Sequence, residues 1–410
     1  MLKENSKKRL LHIIPYNDFV PARNGGALRC YHLCKELSKY FQVTVLTTQN
    51  FENINDKVFD GIEIVNPLRI TSTIGLKNRI MNAIKFRYYQ KSFFGPSEIT
   101  FLQFYPVLKK LSKIEKYDYI LMEHLNVIEL GEVIKNLFPK AIRIADQHNV
   151  DHLLFKQTNQ IDTLKNKKSF QRFKTQESNL YKNADYFFTC STNDKLFLEK
   201  LNKNRIKGFV VANGTSKKPI DLTTKDFAVP RLIFCGVLDT QSNKNGLIWF
   251  YYKVWPTLKK EVKGIKLMIV GRNGFDSAYL PLKNDKQINF IGEVSDVSKY
   301  YLKNNIAIVP LQEGSGTRLK ILEAMNHGNP VISTSIGAEG IECSDGNEIL
   351  IANNAFEFVD KTLKIINSKE LALRITKNAR HLIESRYYWE SIVKNIEVSI
   401  KNLSSAEVNN

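Results

Sequence analysis

Small, basic and acidic residues crowd into one predicted strand-to-helix junction within Pro310–Ser335. The apolar run Ile306–Leu311 leads into the glycine-rich loop Gly314–Gly316, and a helix-patterned segment with Lys320 and Glu323 follows. Loop glycines let backbone N–H groups approach an anion, and the dipole of the following helix favours negative charge there. A lysine and a glutamate one helical turn apart commonly form only a surface ion pair. At the end of a strand and beside glycines, the pair instead favours ligand binding.

The spacing of the polar residues after this loop predicts one ligand-facing helix surface. Intervals of four, three and four residues place these side chains on one face: Gly316, Lys320, Glu323 and His327. Another face collects Leu319, Leu322 and Met325, which suit a hydrophobic core. We therefore expect the polar face to meet a ligand.

A glycine pair follows the first predicted strand, Leu10–Pro15. Asn24 precedes Gly25 and Gly26, and a helix with apolar residues at helical spacing begins there. Paired glycines at a helix N-terminus can receive an anion, although turns use the same pair as often. Neither the Walker A lysine nor the dinucleotide-binding glycine spacing is present, which argues against nucleoside triphosphate hydrolysis and NAD binding.

Four titratable residues lie close together after another predicted strand. They fall within seven positions and are Asp146, His148, Asp151 and His152. They could ligate a metal, but the two histidines have no convincing third ligand, and a strand-end loop presenting polar groups is the favoured interpretation. The chain also contains no Asp-x-Asp, which weakens any mechanism through a metal-bound diphosphate.

Lys244 stands just before a further predicted helix. The apolar residues of that helix are Leu247, Trp249, Phe250 and Val254. A lysine near a helix N-terminus can meet a phosphate without a metal ion. Without further context, such a lysine is more often a solvated surface residue.

The elements that must position these residues alternate between apolar runs and helix-length amphipathic segments. This alternation predicts parallel sheets with crossover helices. The strands expected in the first half are Leu10–Pro15, Val43–Thr47, Tyr119–Met122, Ile142–Ala145 and Tyr186–Cys190. Those expected in the second half are Leu232–Cys235, Lys266–Val270, Ile288–Ile291, Ile306–Val309 and Val331–Ile332. The fold class is therefore α/β, with two doubly wound domains whose strand ends face a ligand-binding cleft.

A polar stretch separates the two halves. Residues 202–230 contain few apolar side chains and are expected to form a linker. The domains are accordingly placed at 1–210 and 211–389, and a C-terminal helix at 390–406 is expected to pack back on the first domain.

Length and composition are those of a globular protein with two domains. The chain has 410 residues, 43% of them hydrophobic and 25% charged, which is too long for one ordinary core. No apolar run approaches bilayer length, and the N-terminal apolar stretch is too short for a signal peptide. The five cysteines lack CxxC spacing, and Cys30 and Cys34 lie one helical turn apart, as buried thiols can. We expect a cytoplasmic protein.

The net charge of +19 indicates an anionic partner. Between Asn66 and Tyr117, ten Lys and Arg residues stand against two acidic ones, so this segment carries +8. Within it, Leu76–Phe94 has five basic residues, five aromatics and no acid. Its apolar residues recur every four positions at Leu76, Ile80, Ile84 and Tyr88. Such a helix could lie on an anionic membrane, or could equally pack on its own domain with a basic outer face.

Taken together, the chain resembles the retaining GT-B glycosyltransferases of the large group 1 family (GT4). The sequence GSGTRLKILEA is similar to the motif GGGTR-x-K-x-LEA, which one subgroup has in place of the usual Glu-x7-Glu. The resemblance covers nearly the whole chain, through the first glycine pair and the segments DQHN, ADYFFTCS, VVANG, FCGVLD and INFIGEVSD. It implies two Rossmann-like domains, the first binding an acceptor and the second a nucleotide-sugar.

The resemblance also assigns roles to individual residues. It implies catalytic roles for His148 near the donor sugar and Lys244 at the leaving diphosphate. Lys320 is a further catalytic candidate, because either Arg318 or Lys320 could add positive charge there. The donor-binding residues it implies are Gly25, Gly26, Gly292, Val294, Glu313, Gly314, Ser315, Gly316, Thr317, Arg318 and Glu323. The arginine expected just after Gly236 is absent, and Val237 stands there.

Within that set, the nucleotide and the sugar have separate contacts. The turn around Gly292 and Val294 would hold the nucleobase, and Glu323 would bind the ribose hydroxyls. Ser315 stands where the first glutamate of the motif would fall, and Glu313 is the nearest carboxylate that could replace it. The identity of the donor sugar is therefore open.

These features predict a retaining, metal-independent glycosyltransferase that needs no cofactor. It would move a sugar from a nucleotide-sugar to a glycan or lipid-linked acceptor in cell-surface polysaccharide or glycolipid synthesis. The protein would be cytoplasmic or peripheral at the inner face of the plasma membrane. The alternatives are a nucleotide-sugar epimerase of the same fold, a relative that has lost catalysis, and a basic nucleic-acid-binding protein. The chain shows no recognition motif for nucleic acid, which disfavours the last of these.

Overall fold

The computed structural model divides the chain into two compact units. The residues it describes are 7–17, 19–22, 24–51, 59, 61–67, 76–90, 97–218, 220, 222, 227, 230–272, 274–302, 306–314 and 316–407. The first unit comprises the described residues of Met1–Ala212 and of Val393–Asn410, and the second comprises those of Asn213–Ile392.

The first unit is built on a seven-stranded parallel sheet. Its strands are β1 (Arg9–Ile14), β2 (Gln42–Thr47), β3 (Glu63–Val65), β4 (Tyr119–Glu123), β5 (Ile142–Gln147), β6 (Tyr186–Thr189) and β7 (Lys207–Val210). They lie in the order β3-β2-β1-β4-β5-β6-β7. The strand order reverses direction between β1 and β4, so the carboxyl ends of these two strands form the topological switch point where such sheets bind ligands.

Helices connect these strands. They are α1 (Gly25–Leu37), α2 (Leu76–Gln90), α3 (Glu98–Ile114), α4 (His124–Ile128), α5 (Gly131–Leu137), α6 (Asp151–Thr158), α7 (Leu164–Glu177), α8 (Leu180–Asn183) and α9 (Thr192–Leu201). The central strands β1, β4 and β5 are buried along almost their whole length. Near-continuous burial is expected where helices cover both faces of a parallel sheet.

The second unit repeats this plan with a six-stranded parallel sheet. Its strands are β8 (Arg231–Cys235), β9 (Lys266–Val270), β10 (Ile288–Gly292), β11 (Ile306–Val309), β12 (Val331–Ser333) and β13 (Leu350–Ile351). Their order, β10-β9-β8-β11-β12-β13, places the switch point between β8 and β11. Two of the sequence-derived candidate segments therefore start at this switch point, after β8 and after β11.

The helices of the second unit follow the same alternation. They are α10 (Gln241–Lys253), α11 (Trp255–Glu261), α12 (Leu280–Lys283), α13 (Ser298–Tyr301), α14 (Leu319–Asn326), α15 (Ala355–Asn367) and α16 (Lys369–Arg386). A last helix, α17 (Trp389–Glu407), begins in the second unit, and its residues from Val393 group with the first. Among the helices that the structure describes, none is long and apolar enough to cross a membrane.

The predicted fold class is confirmed, because both units are doubly wound α/β sheets of parallel strands. Three strands were not predicted. β7 lies inside the segment predicted as a linker and pairs with β6, so the linker prediction was wrong at its start. The other two, β3 and β13, are edge strands of three and two residues, too short for an apolar run to mark them.

Candidate active site

At the switch point of the first sheet, one carboxylate contacts two histidines. Glu123 ends β4, its Oε1 lies 2.5 Å from Nε2 of His12 in β1, and its Oε2 lies 2.6 Å from Nε2 of His148. All three side chains are buried. Burial raises the pKa of Glu123, but the hydrogen bonds from His12 and His148 outweigh it and hold that pKa well below its ordinary value. Because a carboxylate only accepts, both Nε2 atoms carry hydrogen, and Glu123 leaves Nδ1 of His148 unengaged.

A buried ion pair lies beside this cluster. Arg29 of α1 donates from Nε and Nη2 to the two carboxylate oxygens of Asp146, each at 2.8 Å. A third guanidinium nitrogen donates to the Val211 carbonyl at 2.8 Å. Asp146 lies opposite Glu123 in the register of β5 and β4. The bidentate pairing therefore places a fixed positive charge close to two buried carboxylates.

Asp151 and His152, at the end of the segment DQHNVDH (146–152), have a different partner. Glu177 ends α7 and accepts from the Asp151 backbone at 2.5 Å, from the His152 backbone at 3.2 Å and from Nδ1 of His152. It therefore caps the N-terminus of α6. Burial, together with the charge of Glu177, raises the pKa of Asp151 to about 7. The four clustered residues of this segment thus divide among three partners rather than converging on one point.

The glycine pair of α1 lies against the histidines. Asn24 caps the helix by accepting a backbone N–H, and Gly25 and Gly26 open it, as predicted. A Cβ on Gly26 would lie 2.0 Å from Oη of Tyr16 and 3.3 Å from Nε2 of His124, so a side chain there would require Tyr16 to move. Tyr16 and His124 are hydrogen-bonded to each other, and the ring centroids of His124 and His148 are 3.8 Å apart. The glycine loop and both histidines therefore form one continuous surface.

His124 adopts a backbone conformation that is unusual for its residue type. Its φ is 63°, in the left-handed region that few residues other than glycine occupy. Burial, reinforced by the nearby charge of His148, holds the pKa of His124 well below its ordinary value, so the ring is neutral. Backbone strain of this kind concentrates at functional sites.

One group in the described part of the chain has the composition of a metal site. Cys30, Glu123 and His148 each place one ligand atom within 4.8 Å of the others. Burial raises the pKa of the Cys30 thiol well above its ordinary value, so the thiol is protonated when no ion is bound. Both Glu123 oxygens already accept hydrogen bonds from histidines. The arrangement therefore favours a hydrogen-bonded network over a metal centre.

At the switch point of the second sheet, Lys320 lies against the glycine that follows β8. A Cβ on Gly236 would lie 2.8 Å from Nζ of Lys320. Lys320 donates to Oδ1 of Asn243 at 2.6 Å, and its Nζ lies 4.4 Å from the centroid of the Phe234 ring. Burial, together with the charge of Arg318, lowers the pKa of Lys320 to about 7. The Lys320 side chain of α14 thus lies beside Gly236, the residue after which the family resemblance expects an arginine.

The loop before α14 depends on two glycines. Gly314 has φ 127° and Gly316 has φ 76°, both in the region that favours glycine. A Cβ on Gly314 would also lie 2.3 Å from Nη2 of Arg318. The helix begins only at Leu319, so Gly316 belongs to the loop and the prediction that it shares a helix face was wrong. Ser315 lies outside the described residues.

Glu313 and Thr317 belong to the same loop. Glu313 accepts from Nδ2 of Asn245 at 2.9 Å, which ties the loop to α10. Thr317 is buried. The role of Glu313 in place of the motif's first glutamate stays a prediction. In this structure its carboxylate is hydrogen-bonded to Asn245 of the same unit.

Glu323 lies one helical turn beyond Lys320, as predicted. His327 Nδ1 donates to the Glu323 carbonyl at 2.7 Å, so its Nε2 accepts from Nζ of Lys218 at 3.3 Å. Lys218 also donates to Oγ of Ser298. Burial raises the pKa of Glu323, and with the opposing charge of Lys218 included that pKa is about 7. A carboxyl and an ammonium group that both titrate near neutrality therefore lie one turn apart on α14.

Lys244 is placed differently from the prediction. Helix α10 begins at Gln241, so Lys244 lies within its first turn rather than before it. Its ammonium pairs with Asp276, and its side chain is 26% exposed.

The predicted nucleobase turn has Gly292 at the end of β10 with φ 80°, and Val294 is half-buried.

The structure adds residues that sequence reasoning missed. In the first unit these are His12, Tyr16, Arg29, Glu123 and His124, and in the second they are Asn243, Lys218 and Ser298. Glu123 and His124 follow the predicted strand Tyr119–Met122, so the strand-end signal that marked DQHN could have marked them as well.

The sequence of the second unit matches a known family. Residues 229–368 match the family Glycosyl transferases group 1. The protein is a glycosyltransferase. The matched segment contains Gly236, Lys320 and Glu323, so the family match and the switch-point geometry fall on the same residues.

Individual relatives of this glycosyltransferase are distant. The uncharacterized 44.6 kDa protein in the cps region of Klebsiella pneumoniae is 28% identical over 70% of this chain and 76% of its own length. The structure of Anabaena HepE in complex with UDP and glucose has a TM-score of 0.69 at 13% identity, covering 96% of this chain and 100% of that one. Sucrose-phosphate synthase from Thermosynechococcus elongatus has a TM-score of 0.71 at 16% identity, covering 98% and 100%. These likenesses show that the glycosyltransferase has the GT-B fold.

Proposed function

We propose that this glycosyltransferase moves a sugar, with retention and without a metal ion, from a nucleotide-sugar to a glycan or lipid-linked acceptor. The observation that carries the proposal is the Lys320 ammonium held by Asn243 beside Gly236, with Glu323 one turn further along α14. HepE, which has the same fold, was solved with UDP and glucose, and the Klebsiella relative belongs to a cps region. HepE supports a nucleotide-sugar donor, and the Klebsiella relative supports a setting in cell-surface polysaccharide synthesis. We place the reaction on the cytoplasmic side.

In the second unit, the costly step would be departure of the nucleoside diphosphate. Lys320 and the backbone N–H groups around Gly314 and Gly316 would stabilise the negative charge that develops on the leaving oxygen. Glu323 would accept hydrogen bonds from the ribose hydroxyls. Lys244, now paired with Asp276, would supply a second cation.

Retention then follows from attack on the face that the diphosphate leaves. The bond between the sugar carbon and the diphosphate oxygen breaks while the acceptor oxygen bonds to the same carbon. The acceptor's proton passes to the departing diphosphate oxygen, so no carboxylate nucleophile is required. In the first unit, we assign contact with the sugar to Nδ1 of His148, and Glu123 is the positioning residue that fixes its tautomer.

The proposal is tested with a panel of UDP-, GDP- and ADP-sugars in buffer containing EDTA. One nucleotide is expected to raise the unfolding temperature, because a ligand that binds only the folded state stabilises it. Transfer to an acceptor extract should proceed equally in EDTA and in Mg²⁺, with the anomeric configuration retained by NMR. A strict metal requirement would exclude the proposed mechanism, and interconversion of donor epimers without an acceptor would instead identify an epimerase.

The positioning role of Glu123 gives a separate prediction. Glu123→Gln preserves volume but leaves a single acceptor oxygen for two histidine donors, so one ring must change tautomer or lose its partner. Loss of a charge-assisted hydrogen bond costs about 1.5–3 kcal/mol, so we expect kcat to fall roughly 10- to 100-fold with little change in nucleotide affinity. The measurement is steady-state kinetics beside nucleotide-induced thermal shifts.

Glu177→Gln is the matched control for this prediction. Glu177 is another buried carboxylate of the first unit that pairs with a histidine, His152. It is expected to lower the unfolding temperature while retaining kcat, since it caps α6 rather than orienting His148. Equal kcat losses in both variants would mean that Glu123 is merely structural.

A further inference from the structure

Helix α2 does not pack on the first unit through its four-residue apolar repeat but through other side chains. Asn82, Phe86 and Tyr89 are its buried residues among those described. The Phe86 and Tyr89 rings lie 5.6 Å and 5.7 Å from the ring of Phe101 in α3, measured between centroids. These contacts fix which side of α2 meets the core, and therefore which side meets solvent.

Three members of the four-residue apolar repeat of α2 lie on the solvent side. Ile80 is 54% exposed, Ile84 is 56% exposed and Tyr88 is 66% exposed. If the repeat existed to anchor the helix on its own domain, these side chains would be the buried ones. The structure thus separates the anchoring residues of α2 from its apolar stripe.

Helix α3, which packs against α2, also carries exposed apolar side chains. Ile99 is 80% exposed and Leu102 is 37% exposed, on the helix whose buried Phe101 contacts Phe86 of α2. The α2–α3 face consists of Ile80, Met81, Ile84, Tyr88, Ile99 and Leu102. Isolated exposed hydrophobic residues are ordinary, but six on two packed helices mark an interaction surface.

Cations surround this face. Lys85 and Arg87 are exposed on α2, and α3 adds exposed lysines at positions 109, 110 and 113. Glu98, in the first turn of α3, is exposed as well. The Lys85 ammonium lies 5.9 Å from the centroid of the Tyr88 ring. Apolar and aromatic residues bordered by cations suit the headgroup region of a bilayer that carries negative charge.

We propose that the α2–α3 face docks on an anionic lipid bilayer. The apolar side chains would insert among the headgroups, and the flanking cations would attract the lipid phosphates. A second copy of the chain fits less well, because a two-fold contact through this face would bring its cations against one another. The proposal concerns binding alone and does not depend on the transfer reaction.

Flotation with vesicles tests the proposal. The full-length protein is expected to float with phosphatidylglycerol-containing vesicles at low salt, to be released as salt increases, and not to float with phosphatidylcholine alone. Each cation near the surface strengthens binding up to roughly fivefold. Changing Lys85 and Arg87 together to Gln should therefore weaken binding by up to roughly 25-fold, and Ile84→Ser with Tyr88→Ser should abolish flotation.

Two matched variants of the second unit control for loss of charge and of exposed apolar area. Lys253→Gln with Lys263→Gln removes exposed lysines, and Phe356→Ser removes a side chain that is 81% exposed. Both should float like the wild type. Unchanged nucleotide-induced thermal shifts in every variant would show that folding and donor binding are intact, which separates this test from that of the transfer reaction.

Three results would overturn the proposal. The first is a wild-type protein that stays unbound with anionic vesicles at low salt. The second is flotation by the α2 variants equal to that of the controls. The third is a dimer, detected by light scattering, that Ile84→Ser with Tyr88→Ser dissociates, which would assign the face to a second copy of the chain.

Discussion

Glu323→Ala is expected to lower kcat/KM by an amount corresponding to about 2–4 kcal/mol, because charge-assisted hydrogen bonds to the ribose are lost. The variant should fold normally. Burial raises the pKa of Glu323 to about 7, so the folded state gains little from this carboxylate in its charged form. Initial rates at varied donor concentration, together with the unfolding temperature, measure both effects.

Two further variants serve as comparisons for Glu323→Ala, one a conservative substitution and the other at a remote site. Glu323→Gln retains one acceptor oxygen and should lose less activity than the alanine variant. Glu370→Ala removes an exposed carboxylate in the first turn of α16 and should behave like the wild type. If a well-folded Glu323→Ala variant kept wild-type kinetics, the ribose-binding assignment would have to be abandoned.

Lys320→Met is expected to lower kcat by roughly 10²- to 10³-fold, the loss typical when a preorganised donor to developing negative charge is removed. Methionine fills a similar volume, so the packing against Phe234 and Gly236 should persist. Nucleotide affinity should fall less than kcat, because the leaving-group charge is greatest in the transition state. Single-turnover rates separate the chemical step from donor binding.

The kcat losses of other lysine variants decide which lysine stabilises the charge on the leaving diphosphate. Lys259→Met removes a lysine of the second unit that pairs with Asp285 and should leave kcat unchanged. Lys244→Met tests the role implied by the family resemblance. A larger kcat loss for Lys244→Met than for Lys320→Met would return the principal role to Lys244.

The pH profile follows from the same two residues. Below a pH of about 7, Glu323 takes up a proton and loses its capacity as a charged acceptor, so kcat/KM should fall on the acid side. Above a pH of about 7, Lys320 releases its proton and its charge, so kcat/KM should fall on the alkaline side. The expected profile is a narrow maximum near neutrality, whose apparent pKa values belong to the coupled pair. Lys320→Arg, if active, should lose only the alkaline limb.

Much of the fold could be predicted from local pattern alone. Buried parallel strands are continuous apolar runs, so β1, β4, β8 and β11 could be predicted from the sequence. The parallel order also implies that residues following those strands gather at one edge of each sheet. For this reason the segments around Gly25, His148, Gly236 and Lys320 could be selected before any contact was known.

Partners of the site residues could not be predicted, since they come from distant parts of the chain. His12 and Glu123 are separated by 111 positions, and Asn243 and Lys320 by 77. No local pattern specifies which of several strand ends supplies the carboxylate for His148. For the same reason, the sequence shows that the expected arginine after Gly236 is absent, but it does not show that the Lys320 side chain lies beside Gly236.

The sequence by itself determined that the chain forms two doubly wound units, and that glycines, cations and a glutamate follow particular strands. It also determined that α2 has an apolar stripe, because helical periodicity shows which residues share a face. Only the tertiary structure decided whether that stripe meets the core or the solvent. Packing of Phe86 and Tyr89 against Phe101 set the rotation of the helix and left Ile80, Ile84 and Tyr88 outside. The physical reason is that periodicity records the relative positions of side chains on one helix, whereas burial depends on the neighbours that a folded chain brings to it.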